Sequence, residues 1–497
     1  AERDFYLQVY FHALGTPVTD DRYELGKDLP RVAEILLATD PRTDRVLASI
    51  QDGDGGTFRH YLRDASRAPS SAPERAWRQL TDWGDQVVSV GFGPKDDLWL
   101  VSRKGAPRGM VQRLPAKAKS LAQAKTIIAE GKDTIVTEFW AEWSVVVTAD
   151  RLLVTYQTGG PSELRAFTLA GKPAISPAAP PVAAVGQPVV FGKDILFHAV
   201  SYTEAGAWYR QRARVVTEIA ALSDEPPVDL TDWEVKRELA TSKDGTQVPL
   251  AIVWKKGAPT DGSVPCLVTG YGGYGDREEP FFLSLQSVLL RRGVCFVDVI
   301  LRGGSELGEA WHKAGMLTAK QNVFDDFAAA LGHLAQRGYS RAERLAIAGS
   351  SNGGLLMGAV LTQHPELMRA VVSHVGIYDA VRNELSANGA FNIPEFGTVE
   401  DPAQFAALYA YSPYHHVVKG TRYPAVLMLT GANDPRVAPW HSRKMVAALQ
   451  AAQAGRALIL LRTSDSSGHG QGTSKSEHID QLTDVYAFVL AQLGAAK

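Results

Sequence analysis

The sequence predicts an all-β domain followed by an α/β domain, and three observations predict it. Four strand-like runs recur at near-constant spacing in the first half. From about residue 264, buried strands alternate with amphipathic helices. A G-x-S-x-G turn then joins one of those strands to one of those helices. With 497 residues the chain is too long for one hydrophobic core.

The repeated runs are DRVLASIQDG (44–53), DDLWLVSRKG (96–105), DRLLVTYQTGG (150–160) and KDILFHAVSY (193–202), and they start 52, 54 and 43 residues apart. Each is a charged turn, an apolar strand and a Gly- or Ser-containing turn, with nothing strongly helical between them. A β period of about 40–50 residues is that of a propeller blade, a length at which β-sandwiches do not repeat themselves. Residues 1–225 are therefore read as β-propeller, with room for about five blades. The Pro-rich, acidic DEPPVDLTDW (224–233) reads as a linker, and EVKRELATS and QVPLAIVWKK as a hairpin around the KDG turn at 243–245.

Residues 226–497 carry a different pattern. Strands are expected at 264–270, 293–300, 344–349, 370–375, 424–431 and 457–463, separated by amphipathic stretches such as 323–338 and 441–453. Continuous apolar strands alternating with helices imply a parallel sheet covered on both faces, with its chemistry at the carboxyl ends of the strands.

Composition excludes several partners. Hydrophobic residues are 45% and charged residues 21%, and 52 Lys+Arg against 54 Asp+Glu leave a net charge of −2. That balance offers nothing to nucleic acid or to an anionic membrane. No apolar run approaches the about 20 residues of a membrane span. The first fifteen residues carry acids and no apolar core, unlike a signal peptide. Cys266 and Cys295 each lie inside an apolar strand and are expected to be inert core thiols, not a disulfide pair. The 12 histidines show no metal-ligand spacing, and His415-His416 reads as a loop or helix-end pair, so no metal is expected.

At the end of strand 344–349 stands Gly349-Ser350-Ser351-Asn352-Gly353-Gly354, leading into LLMGAVLTQH. Of the two serines only Ser351 has glycines at −2 and +2, as the strained strand–turn–helix elbow of α/β-hydrolases requires. A serine needs a histidine base held by a carboxylate, and in that fold the chain order is Ser, acid, His. Strand 424–431 leads to Asp434, and strand 457–463 leads to His469 between Gly468 and Gly470. Asp465 shares the histidine's loop and reads as a turn former, while His364, His441 and His478 fall in helices. An oxyanion hole would use the Asn352 amide and a donor from Gly270-Tyr271-Gly272-Gly273-Tyr274-Gly275, where the Tyr271 hydroxyl is the candidate.

At this point the sequence resembles the prolyl oligopeptidases of the S9 serine peptidases. The matching segments are TGYGGYG (269–275), ILRGGSELGEAWHKAG (300–315), KQNVFDDF (320–327), GSSNGGLLMG (349–358), YSPYHHV (411–417) and TGANDPRV (430–437). The resemblance implies an α/β-hydrolase domain plus a seven-bladed propeller, of which this chain would hold about the last five blades. It implies hydrolysis of short peptides after proline through an acyl-enzyme, with no cofactor. Tyr271 would be the oxyanion hydroxyl, Arg436 would bind a substrate carbonyl, and Tyr274, Asn352, Ile377, Phe396 and Val437 would line a proline pocket. Two positions depart from the family: Asn392 stands where a tryptophan stacks on the proline, with Phe391 beside it as a substitute, and Phe396 replaces a tyrosine. The rival activities are an acylaminoacyl or dipeptidyl peptidase, an esterase, and a non-catalytic scaffold. Because family members begin earlier, a separate N-terminal segment is expected to complete the propeller. A cytoplasmic location is expected, with an exported one left open for the same reason.

Overall fold

A computed structural model describes residues 5–40, 42–64, 77–137, 145–223 and 225–495. Up to residue 218 the chain is built of antiparallel meanders. A ribbon pairs Val9–Phe11 with Arg22–Leu25, and four sheets of four or five strands follow, spanning residues 33–81, 87–128, 134–168 and 183–218. The four repeated runs are the equivalent inner strands Arg45–Asp52, Asp97–Ser102, Arg151–Gln157 and Asp194–Ser201. Each has hydrogen-bonded neighbours on both edges, and Asp97–Ser102 and Arg151–Gln157 are buried along nearly their whole length. In two sheets the aspartate that opens this strand pairs with an arginine on the next one. These are Asp97 with Arg113 at 2.5 Å and Asp194 with Arg212 at 2.6 Å. Of the 224–233 connection, Asp224 lies outside the described residues.

One eight-stranded sheet organises the rest. Its strands, numbered here β1 to β8, are Trp233–Thr241, Gln247–Lys255, Cys266–Gly270, Cys295–Val299, Leu345–Ser350, Ala370–His374, Ala425–Gly431 and Ile459–Ser464. Their order in space is β1-β2-β4-β3-β5-β6-β7-β8. The β1–β2 hairpin is antiparallel and β2 meets β4 antiparallel, while every other neighbour is parallel.

Successive side chains leave opposite faces, so each strand feeds two cores. Val268, Val297, Ile347 and Met428 pack under helices α2 (Gln321–Gln336) and α3 (Asn352–Gln363). Leu267, Phe296, Ala346 and Leu427 pack under the C-terminal helix α5, Lys475–Leu493. Helix α1 is the short Glu309–Lys313, and α4 is Trp440–Ala452. In α2 the buried Val323, Phe324, Phe327, Ala330, Leu331 and Leu334 form one stripe, and Gly338 at φ 73° ends the helix. Among the described residues no helix is long and apolar enough to cross a membrane.

The two cysteines are a correction to the expectation of separate thiols. Cys266 and Cys295 are paired residues of the neighbouring parallel strands β3 and β4, their Cα atoms 4.4 Å apart, and they form a disulfide. Burial was readable from each apolar run; adjacency and register, which set two buried thiols face to face, were not. The denatured, unreduced chain should titrate no free thiol with Ellman's reagent, and both cysteines should react after reduction.

The propeller half stands over the carboxyl end of this sheet. Tyr202 donates its hydroxyl to Asp298 at 2.7 Å, Gln157 Nε2 donates to the Glu278 carbonyl at 3.0 Å, and Arg103 Nη1 donates to Glu309 at 2.5 Å.

Candidate active site

The turn between β5 and α3 forces Ser351 to φ 59° and ψ −116°, a region that L-residues rarely occupy. Two glycines make it possible. A Cβ on Gly349 would lie 2.4 Å from the Gly353 carbonyl oxygen, and one on Gly353 would lie 3.0 Å from the Gly270 oxygen. Ser351 N donates to the His374 carbonyl at 3.0 Å, which ties the elbow to the end of β6.

Three strand ends converge here. His469, in the loop after β8, has Nε2 2.9 Å from Ser351 Oγ and Nδ1 2.7 Å from Asp434 Oδ2. Asp434, in the turn after β7, is buried, and its Oδ1 accepts from the amides of Arg436 and Val437, both at 2.9 Å. An ionised carboxylate only accepts, so Nδ1 carries the proton and Nε2 is left free to take one from Ser351. The histidine loop is pinned to the end of β7 by Asn433, whose Nδ2 donates to the Asp465 carbonyl at 2.8 Å. Asp465 itself is exposed. His441 is buried under the amides of Tyr378 and Asp379, and its pKa is pushed down to about 3 by burial. His364 sits at the exposed end of α3, and His478 lies on α5.

Tyr271 follows β3, and it lines the same cavity as Ser351 and His469. Burial pushes its pKa well up, so it stays a neutral donor. Asn352 is the first residue of α3, so its backbone amide has no partner within the helix. Its side chain has a task that the sequence did not suggest: Nδ2 donates to the Tyr271 carbonyl at 2.6 Å and fixes the tyrosine's backbone.

Ser351 opens into a cavity of about 400 Å³ between the two halves of the chain. Tyr274, Ile377, Asn392, Arg436 and Val437 are on its wall. Phe396 is not; it lies behind Tyr274 in edge-to-face contact, with ring centres 5.5 Å apart. Asn392 is buried, and its Oδ1 accepts from the Tyr274 hydroxyl at 2.9 Å. Phe391 points away and stacks on Phe5 at 5.1 Å, so it does not take the place of the family's tryptophan. The wall also holds Gln51, Asp54, Arg103 and His312, which sequence reasoning passed over. His312 lies in ELGEAWHKAG, one of the matching segments, and that was the available signal. Gln51 and Arg103 lie in the repeated runs 44–53 and 96–105 and Asp54 directly follows the first, but nothing in those runs marks a site. On the propeller side, burial pushes Asp54 up to about 6 and Glu34 up to about 7, and both lie within electrostatic reach of Arg436.

A second cavity of about 520 Å³ shares Tyr271, Ser351, Arg436 and His469 with the first and runs beneath the elbow past Asp298, Phe281 and Glu278. Behind it Glu306 is buried; its Oε1 accepts from the Glu278 amide at 2.7 Å, and Oε2 has no hydrogen-bond partner among the described residues. Burial, with Asp298 and Asp276 adding to it, pushes Glu306 from 4.5 up to about 8. The folded state thus keeps a proton that the unfolded chain releases near 4.5, so stability falls as pH rises between there and about 8. Glu306→Gln should flatten that fall and raise Tm at the alkaline end, which a thermal melt at several pH values would show.

The chain is similar to known proteins over most of its length. Residues 281–496 match the prolyl oligopeptidase family, and residues 2–211 match the N-terminal β-propeller domain of prolyl oligopeptidase. The chain is 29% identical over 496 residues to a prolyl endopeptidase of Elizabethkingia meningoseptica, covering 98% of this chain and 67% of that protein. It is 32% identical over 501 residues to a prolyl oligopeptidase of Omphalotus olearius, covering 95% and 65%. A solved structure from a study of inter-domain dynamics in two prolyl endopeptidases superposes with a TM-score of 0.90 at 33% identity, covering 99% of this chain and 71% of that one.

Proposed function

The chain belongs to the prolyl oligopeptidase family of serine peptidases, and from that premise we propose that it cleaves short peptides on the carboxyl side of proline through an acyl-enzyme on Ser351. The observation that carries this reading is the in-line set of Ser351, His469 and Asp434, at 2.9 and 2.7 Å, beside a slot walled by Tyr274, Ile377 and Val437. A pyrrolidine ring offers rigid apolar surface and no N–H, which suits such a slot.

Ser351 Oγ attacks the carbonyl carbon as His469 Nε2 takes its proton. The oxyanion forms between the Tyr271 hydroxyl and the Asn352 amide. His469 then gives the proton to the leaving nitrogen, and water repeats the sequence to release the acid. Arg436 binds a carbonyl on the acyl side. No cofactor takes part. The propeller roof admits peptides and excludes folded proteins.

A broader specificity is the second reading, and Asn392 favours it. A polar amide held by Tyr274 stands where an aromatic ring would grip the proline. Cleavage of matched chromogenic peptides with proline or alanine before the scissile bond decides between them. A proline preference of about 100-fold or more is expected, lost with all turnover in Ser351→Ala. Equal cleavage of the two peptides would support the broader reading.

The four meander sheets and the N-terminal ribbon are read as successive blades of the family's propeller. Residues 1–225 are assigned to that domain and 226–497 to the hydrolase. The Cys266–Cys295 bond favours an oxidising compartment over the cytoplasm expected from the sequence.

A further inference from the structure

We propose that Arg103, Glu309, His312, Glu395 and Lys320 form a positioning relay, through which contact of the propeller with the hydrolase domain sets the shape of the substrate pocket. The relay crosses the domain boundary once. Arg103 follows a propeller strand and is held there by Thr137 Oγ1, which accepts from Nη2 at 2.9 Å; its Nη1 donates to Glu309 Oε2 at 2.5 Å. A backbone bond from Glu309 N to the Pro107 carbonyl, at 2.9 Å, runs beside it.

From Glu309 the path runs inward. His312 Nδ1 is 3.9 Å from Glu309 Oε2, and its Nε2 is 3.0 Å from Glu395 Oε2. Lys320 Nζ donates to Glu395 Oε1 at 2.8 Å and to the Gly272 carbonyl at 3.0 Å. His312, Glu395 and Lys320 are fully buried, and signs alternate along the chain, each carboxylate lying between two cations. Burial opposes charge on His312, yet the facing carboxylates of Glu309 and Glu395 prevail and lift its pKa to about 9. Burial likewise opposes charge on Glu395, and Lys320 with His312 overcomes it and holds the carboxyl near 2. A buried set of this kind is stable only while every member keeps its partners.

The inner ends are what make this a pocket device. Gly272 lies between Tyr271 and Tyr274. Glu395 lies in the turn Ile393–Phe396, directly after Asn392, and Asn392 is bonded to Tyr274. Loss of the Arg103 contact would leave Glu309 to His312 and Lys313 alone and shift the balance at His312, which faces both the cavity and Glu395.

The specificity part of this inference rests on the proline reading, so the test has an independent readout. In the full chain, Arg103→Met is compared with Arg103→Lys and with the charge-swapped Arg103→Glu/Glu309→Arg. Backbone hydrogen exchange over 389–397 decides. It should quicken about tenfold in Arg103→Met and stay near wild type in Arg103→Lys. The proline-over-alanine ratio should fall about tenfold alongside, mainly through KM for the proline peptide. The swap re-forms the clasp across the boundary but sets an arginine against His312, so it should not recover. Unchanged exchange at 389–397 in Arg103→Met overturns the relay, and full recovery in the swap reduces it to a plain clasp and overturns it equally. Wild-type cleavage without proline preference would sink the proline reading alone, because the exchange result would still stand.

Discussion

Asp434→Asn should lower kcat by about 10⁴-fold while leaving KM and Tm close to wild type. The reason lies in how the carboxylate divides its two oxygens. Oδ1 accepts from the amides of Arg436 and Val437, and Oδ2 accepts from His469 Nδ1. An asparagine oxygen is needed by the two backbone amides, which have no other acceptor in that turn. The side-chain NH₂ then faces His469 Nδ1, which must become the acceptor. The proton moves to Nε2 and points at Ser351, and a nitrogen that already carries a proton cannot take another. Packing is unchanged because the two side chains have the same shape, so the loss belongs to chemistry and not to folding. Single-turnover kinetics beside a thermal melt would separate the two. A kcat within tenfold of wild type would mean that Asp434 does not set the tautomer.

How much of this was legible depends on whether the signal was local. The elbow is local: Gly349, Ser351 and Gly353 sit within five residues, Gly349 answering a clash inside that turn and Gly353 one with the Gly270 carbonyl at the end of β3. Asp434 and His469 could be found because strand order in this fold tells where the acid and base must fall, and each follows an apolar strand. The propeller repeat was readable because the inner strand of each sheet is an apolar run opened by a charged turn, at near-constant spacing. What was missed depends on register or on contacts across the domain boundary. The Cys266–Cys295 bond needs β3 and β4 to be neighbours in step, which no pattern in either strand declares. Gln51 at the end of a strand, and Asp54 and Arg103 just beyond strands, reach the cavity from positions whose distance in sequence from Ser351 hides their proximity. Phe396 shows the opposite error. The family resemblance implied a lining role, whereas it supports Tyr274 from behind, with the Lys320 ammonium 5.1 Å from its ring.

The Tyr271 hydroxyl carries the second large effect, and Tyr271→Phe should lower kcat by about 10²–10³-fold with little change in KM. In the resting site Tyr271 stands on the wall of the cavity into which Ser351 opens. Once Oγ has joined the carbonyl carbon, the charge to be met lies on the former carbonyl oxygen, and the hydroxyl turns to it. A donor used mainly in the transition state shows in kcat and not in binding. Phenylalanine keeps the ring and its contact with Tyr274, at 6.5 Å between centres, so the pocket should hold its shape. The Asn352 amide remains, which is why the loss stops short of that in Asp434→Asn. Because burial holds the phenol pKa far above any assay pH, the fold-loss should be the same at pH 6 and pH 9. Asn352→Ala separates donor from scaffold. It keeps the amide but removes the Nδ2 bond to the Tyr271 carbonyl, so it should lower kcat by displacing the hydroxyl, and its effect should vanish in a Tyr271→Phe background. Additive losses in the double variant would instead give the Asn352 side chain a role of its own.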